Sequence, residues 1–233
     1  MTDAVSNLAV IGLYILYILL PILALFFAYE IITKGFKYMG FGSIEAIIIV
    51  FICFLLGSGF IDDYVGFSFS NIHLFDYYNW KVGINTGGAV IPILLSIYLI
   101  IKKKISYKYV LFGISVVTIV TYFVTYAEPN KGIVSPFPLW LLPAFFASIT
   151  SVILLWKKFR KAAPLSYVSG TIGVLIGADF LHLHELLSNN PGQNVNAVIG
   201  GAVVFDMIFI TGILAVILDG LIMFRQRKRE GFG

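Results

Sequence analysis

Polar residues in this chain fall in short clusters, and between them lie seven stretches that are apolar for about 18 residues or more. An apolar run of that length crosses a hydrocarbon core of about 30 Å as a helix. The pattern therefore predicts seven membrane-spanning helices, at about 8–31, 44–61, 84–101, 109–127, 139–156, 168–187 and 195–223. The predicted fold class is all-α, a single polytopic transmembrane domain over residues 1–233, placed in the cell membrane as a multi-pass protein. The breaks between runs are short. The longest, "DDYVGFSFSNIHLFDYYNWKVG" from Asp62, is aromatic and acidic, as suits an interfacial segment. A second, "EPNKGIVSPFPLW" from Glu128, carries Pro129, Pro136 and Pro138, which exclude a regular helix.

Charge sets the expected direction of the spans. Lys34 and Lys37 follow span 1, Lys102, Lys103, Lys104 and Lys108 follow span 3, and Lys157, Lys158, Arg160 and Lys161 follow span 5. Arg225, Arg227, Lys228 and Arg229 follow span 7. The alternate breaks hold Asp62, Asp63, Asp76, Glu128 and Glu185, with only Lys81 and Lys131 against them. Basic loops stay on the cytoplasmic side, so the N-terminus is expected outside and the C-terminus inside. The N-terminus has no basic stretch or small-residue cleavage site, so span 1 is expected to be retained.

Composition agrees with this layout. Hydrophobic residues make up 59% of the 233 and charged residues 12%, about half the usual share for a soluble domain. Mean hydropathy is +0.95 and the isoelectric point is about 9.0. The basic residues are topology signals and contacts to anionic lipid, so no nucleic-acid partner is implied. The single cysteine, Cys53, excludes an intramolecular disulfide.

An internal similarity links spans 2–3 with spans 6–7. "LLGSGFI" (55–61) resembles "LIGADFL" (175–181), and "GGAVIPI" (87–93) resembles "GGAVVFD" (200–206). A four-span shift keeps direction, so this would be a parallel repeat. Under it Gly59 aligns with Asp179 and Ile93 with Asp206, and only the second copy carries acids.

Asp179 and Asp206 are the ionisable residues deepest in the spans, and buried intramembrane acids are functional candidates. Counting 1.5 Å per residue from the ends of spans 6 and 7 puts both about 12–15 Å below the outer surface. Consecutive antiparallel helices pack side by side, so the two are expected to face one another. On span 6, Ser166, Gly170, Gly173 and Gly177 form a small-residue seam suited to close helix contact. Asp179 is expected about 200° from it. Gly200, Gly201 and Ala202 leave room beside Asp206, Phe205 precedes it, and Asn85 stands at the mouth of span 3.

The histidines are weaker candidates. His182 lies within a turn of Asp179 and is a candidate partner, whereas His184 and Glu185 read as the polar outer end of the helix. The spacing is not that of a zinc-protease motif, so no metal is assigned. Span 4 has a polar stripe at Ser115, Thr118, Tyr122 and Thr125, fit to line a hydrated cavity or to bond a neighbouring helix. Pro92 and Pro143 are expected to kink their spans. No phosphate loop, nucleophile elbow or dinucleotide fingerprint is present, and no cofactor is expected.

The words "INTGGAVIPILLSIYL", "APLSYVSGTIGVLIGADF" and "IGGAVVFDMIFITGILAV", in this order, resemble the prokaryotic membrane-protein family catalogued as domain of unknown function 1614. That resemblance implies a membrane fold and no activity. "GAD" (177–179) and "FD" (205–206) bear a looser similarity to the Gly-x-Gly-Asp and Tyr-Asp words of presenilin and signal-peptide-peptidase enzymes, with their order exchanged.

The leading expectation is an intramembrane aspartyl protease-like hydrolase in which Asp179 and Asp206 activate water against a single-span membrane peptide. A proton-coupled transporter or channel using the same acids, and a scaffold in which they only hold helices together, stay open beside it.

Overall fold

A computed structural model describes residues 2–128, 132–189 and 191–232. Pro129 and Lys131 lie outside the described residues. The first helix, α1 (Thr2–Met39), is apolar on all sides. From Leu13 to Phe27 its large side chains are exposed, as expected of a helix surrounded by lipid. It is followed by α2 (Ser43–Gly57) and a single turn, α3 (Asp62–Val65). The rest of the predicted interfacial segment is a β-hairpin, β1 (Asn71–Tyr77) and β2 (Trp80–Asn85), rather than an irregular stretch.

Span 3 opens with a π-helical segment, Thr86–Val90, and continues as α4 (Ile91–Lys103). Next come α5 (Tyr107–Val124), the short strands β3 (Tyr126–Glu128) and β4 (Gly132–Val134), and α6 (Leu142–Leu154). Pro143 stands in the first turn of α6, where a missing N–H leaves no gap, whereas Pro92 lies within the continuous run Thr86–Lys103, just where its π segment passes into α4. One continuous helical run contains α7 (Phe159–Val174), a π segment (Leu175–Phe180) and α8 (Leu181–Ser188).

The largest departure from the predicted pattern lies in the seventh span. Residues Val195–Ile199 form a strand, β5, and a turn and a 3₁₀ segment (Val203–Phe205) follow. Helix α9 begins only at Met207 and runs to Ile222, with the terminal turn α10 (Phe224–Arg229) behind it. Among the described residues, four helical runs are long and apolar enough to cross a membrane: Gly12–Met39, Thr86–Lys103, Tyr107–Val124 and Phe159–Ser188. Ser43–Gly57, Leu139–Leu154 and Met207–Ile222 are shorter apolar helices. The chain is thus mainly helical, with two small sheets that the all-α expectation did not include.

β5 pairs in parallel with β2, in register from Trp80 opposite Val195 to Ile84 opposite Ile199. Both strands run directly into a Gly-Gly-Ala-Val word, and the two words meet. A Cβ on Gly88 would fall 2.0 Å from the Gly200 carbonyl oxygen, and Gly200 itself has φ +72°. Backbone approach this close admits only glycine. The two halves are not alike throughout. Gly59 is left-handed at φ +78°, whereas Asp179, its partner in the internal similarity, lies in a continuing helix.

The packed centre is α7, buried on nearly every side between α5, α6 and α9. Its predicted small-residue seam serves two neighbours. A Cβ on Gly170 would stand 3.3 Å from the Gly212 Cα of α9, while one on Gly173 would be 2.5 Å from the Val117 Cβ of α5. The basic segments gather at one end. Lys161 Nζ donates to Lys104 O at 3.2 Å, and Arg160 Nη2 to Glu230 O at 2.9 Å. Arg227 bonds the Tyr38 hydroxyl. The Glu230 carboxylate accepts from the Phe159 and Arg160 amides, two free donors at the start of α7.

Candidate functional site

Asp179 lies in the π segment between α7 and α8, half-buried. A π turn accommodates an extra residue, so the uniform 100° step used to place side chains fails through this stretch. Asp206 is not within a helix at all. With extended backbone (φ −68°, ψ 146°) it is the N-cap of α9. Its Oδ1 accepts from the Ile208 amide at 3.0 Å and its Oδ2 from the Ala202 amide at 3.3 Å. An aspartate is well suited to that position because it satisfies amides left free at a helix start. The sequence-based depth estimate treated residues 195–206 as helix, and the correction to strand and turn changes how Asp206 is held.

The two acids line the same two cavities. The larger, of about 440 Å³, has both carboxylates on its wall together with Trp80, Ile133, Leu183 and the whole length of β5. The smaller, of about 220 Å³, is bounded by Asp179, Asp206, Thr125, Ser135 and Phe205. Trp80 is buried and fixed by its indole N–H, which donates to Asn189 O at 2.7 Å. β5 is an edge strand, with β2 on one side and no strand on the other among the described residues. The cavity therefore combines two carboxyls with a strand edge able to pair with an extended peptide.

The remaining predicted residues divide. Gly201 and Ala202 line the larger cavity, and Ala202 and Phe205 the smaller, Phe205 being 65% exposed. Gly200 and Gly177 are packing residues. Gly200 faces the Gly88–Ala89 backbone, and a Cβ on Gly177 would stand 2.5 Å from Thr118 O.

Asn85 caps the π segment at the start of span 3 and lines neither acid cavity. It is buried, accepts from the Gly88 amide at 2.8 Å, and donates to Gly57 O at 2.9 Å and Asn71 Oδ1 at 3.0 Å. His182 likewise leaves the site. Its Nδ1 is 2.9 Å from Glu185 Oε2, its Nε2 is 3.1 Å from Tyr122 O, and its ring stacks on Tyr122 at 4.7 Å. Both ring nitrogens are thus engaged by Glu185 and Tyr122, neither of which lines the acid cavities.

Trp80, β5 and the β3–β4 hairpin were not singled out from the sequence. A signal for β5 exists: "VNAVI" alternates and is bounded by Pro191-Gly192 and Gly200-Gly201. It was absorbed into the apolar run. Thr125 does belong to the site, as the last member of the span 4 stripe, with its hydroxyl bonded to Thr121 O at 2.8 Å.

A family model described as a protein of unknown function (DUF1614) matches residues 64–218, which include every residue of both cavities. No curated protein and no solved structure matches the chain.

Proposed function

Because the chain belongs to the DUF1614 family, whose description assigns no activity, we propose its function from the site alone: an intramembrane aspartyl protease-like hydrolase acting on a membrane-bound peptide. The observation that carries this reading is that Asp179 and Asp206 share a cavity walled by the free edge of β5. A substrate segment unwound from its own helix would pair with β5 through backbone hydrogen bonds, which presents successive peptide carbonyls along the cavity. One carboxylate takes a proton from water as its oxygen attacks the carbonyl carbon, and the other, protonated, gives its proton to the carbonyl oxygen; the first then passes the proton it took to the amide nitrogen as the C–N bond breaks. Two carboxyls in different settings suit these opposite roles. Asp206, whose carboxylate already accepts from two amides, is the better held in its ionised form, which favours Asp206 as the base that takes the proton from water and Asp179 as the proton donor.

The proposed setting is a seven-crossing chain with the N-terminus outside and the basic end in the cytoplasm, so that the acids lie toward the outer leaflet. The test is cleavage of tagged single-span peptides by the reconstituted protein. Asp179→Ala and Asp206→Ala should each abolish product, and cleavage surviving in either variant removes that residue from the mechanism.

Proton-coupled transport has one observation in its favour. Below the acids, the α7–α9 interface holds the buried hydroxyls of Tyr167, Thr171 and Thr211, and it ends at the fully buried Asp219. The Thr211 hydroxyl has no hydrogen-bond partner among the described residues. Polar atoms left so in a protein interior suit water, and a file of them suits proton passage. Proton uptake into pH-gradient vesicles without peptide cleavage would select this reading.

A further inference from the structure

At the basic end, away from the acids, the start of α2 and the C-terminal tail meet α1 around a cavity of about 550 Å³. Lys34 and Lys37, three residues apart and so on one face of α1, line it with Arg227. The Arg227 guanidinium is held 4.9 Å above both the Tyr38 and Phe224 rings, and its Nε is buried with no partner among the described residues. Against these three cations, Glu30 is the one carboxylate side chain of the cavity wall among the described residues.

This polar cavity adjoins an apolar one. A groove of about 440 Å³ runs between α1 and α2, walled by Leu25, Ala28, Ile32, Val50 and Phe54, and Tyr29 and Thr33 line both compartments. From Leu25 to Lys37 the wall extends about 18 Å along α1. That is close to one leaflet, about 15 Å of hydrocarbon, plus a headgroup. The change from cationic to apolar follows the same axis.

We propose that the two compartments together hold one anionic phospholipid, with its phosphate among Lys34, Lys37 and Arg227 and an acyl chain in the α1–α2 groove. Charge complementarity selects an anionic headgroup over a zwitterionic one, and continuity with the groove selects a lipid over free phosphate. The groove ends at Val204 and Phe205, and Phe205 also lines the smaller acid cavity. The bound chain therefore occupies a side approach to the acids from the bilayer. The site does not depend on what reaction, if any, the acids perform.

The test uses full-length protein reconstituted into vesicles of equimolar phosphatidylglycerol and phosphatidylcholine, re-extracted in neutral detergent and weighed intact by native mass spectrometry. Phosphatidylglycerol should be retained preferentially. Lys34→Gln and Lys37→Gln should each lower that preference about fivefold, the value of one basic residue near an anionic surface. Both lysines are exposed, so an unchanged thermal midpoint will show that the fold is kept. Val50→Trp, which fills the groove, should reduce retention of both lipids. Millimolar inorganic phosphate should leave the retained lipid in place.

Equal retention of the two lipids, or a preference unaffected by both lysine changes, overturns the proposal. Displacement by inorganic phosphate reduces the site to an anion pocket and also overturns it. Capture of a single-span peptide by lipid-depleted protein, in place of phosphatidylglycerol, would assign the groove to substrate instead.

Discussion

Single side chains decide how much of the outer rim is held in place, and Asp62 shows how. Its Oδ1 accepts from the amides of Phe69 at 2.7 Å and Ser70 at 3.1 Å, and Ser68 Oγ donates to its Oδ2 at 3.1 Å. Desolvation of the carboxyl opposes ionisation, but donation from the Ser70 hydroxyl, the Phe69 and Ser70 amides and the Ser68 hydroxyl outweighs it. The group is therefore held below the usual carboxylate range. A lowered folded-state pKa gives stability that is present above the unfolded value and lost as pH falls through the folded one. Hydrogen-exchange protection of the Phe69 and Ser70 amides should accordingly persist at neutral pH and fall below the ordinary carboxylate range. In Asp62→Asn that pH dependence should vanish. Asn85 gives a second expectation at this scale. Asn85→Ala leaves Gly57 O and the Gly88 amide without their buried partner, and unfolding should show a loss of about 1–3 kcal/mol. The Asn85 cap on the Gly88 amide is local, three residues away, and so within reach of the sequence; its other partners lie 28 and 14 residues off, and the Asp62 amide partners seven and eight, which no local pattern marks.

At the scale of elements, the helices were legible and the short strands were not. Apolar length marks the runs that hold α1, α2, α4, α5, α6, α7–α8 and α9, and only the single turn α3 in the acidic segment and the terminal turn α10 fall outside it. The same criterion hid β5, whose five residues are as apolar as a helix and differ only in the Gly and Pro that bound them. The π segment at Asp179 is equally hidden, since no residue within Leu175–Phe180 sets it apart from an ordinary helix. The Gly-Gly-Ala-Val words stand out in the sequence as a similarity, while their use as the contact between the β2 and β5 ends depends on the fold. That use is testable. A Cβ at Gly88 would lie 2.0 Å from Gly200 O and one at Gly200 2.8 Å from Ala89 N, backbone atoms with no freedom to yield. Gly88→Ala and Gly200→Ala should each destabilise the fold by about 3 kcal/mol or more. A thermal midpoint unchanged in detergent would show that the two words do not meet so closely.

For the whole molecule, charge makes the boldest claim. The four basic segments meet at one end, and the acid-lined cavities lie toward the other. With Cys53→Ser as background, a cysteine at Lys108 should react with an impermeant thiol reagent only from the cytoplasmic side. One at Asp63 should react only from outside. The reverse pattern would invert the proposed setting and carry the acids to the other leaflet. The parallel pairing of β2 with β5 also has a consequence for how the protein is made. Its partners are 115 residues apart in the chain, as Trp80 and Val195 show. At about 5–20 residues per second of synthesis, β2 waits roughly 6–23 s with an open edge before β5 emerges. During that interval the hairpin is the part of the nascent chain most exposed to wrong partners. A ribosome stalled before residue 195 would release a protein with most of its helices formed and no acid cavity, so competence at the site arrives last and all at once.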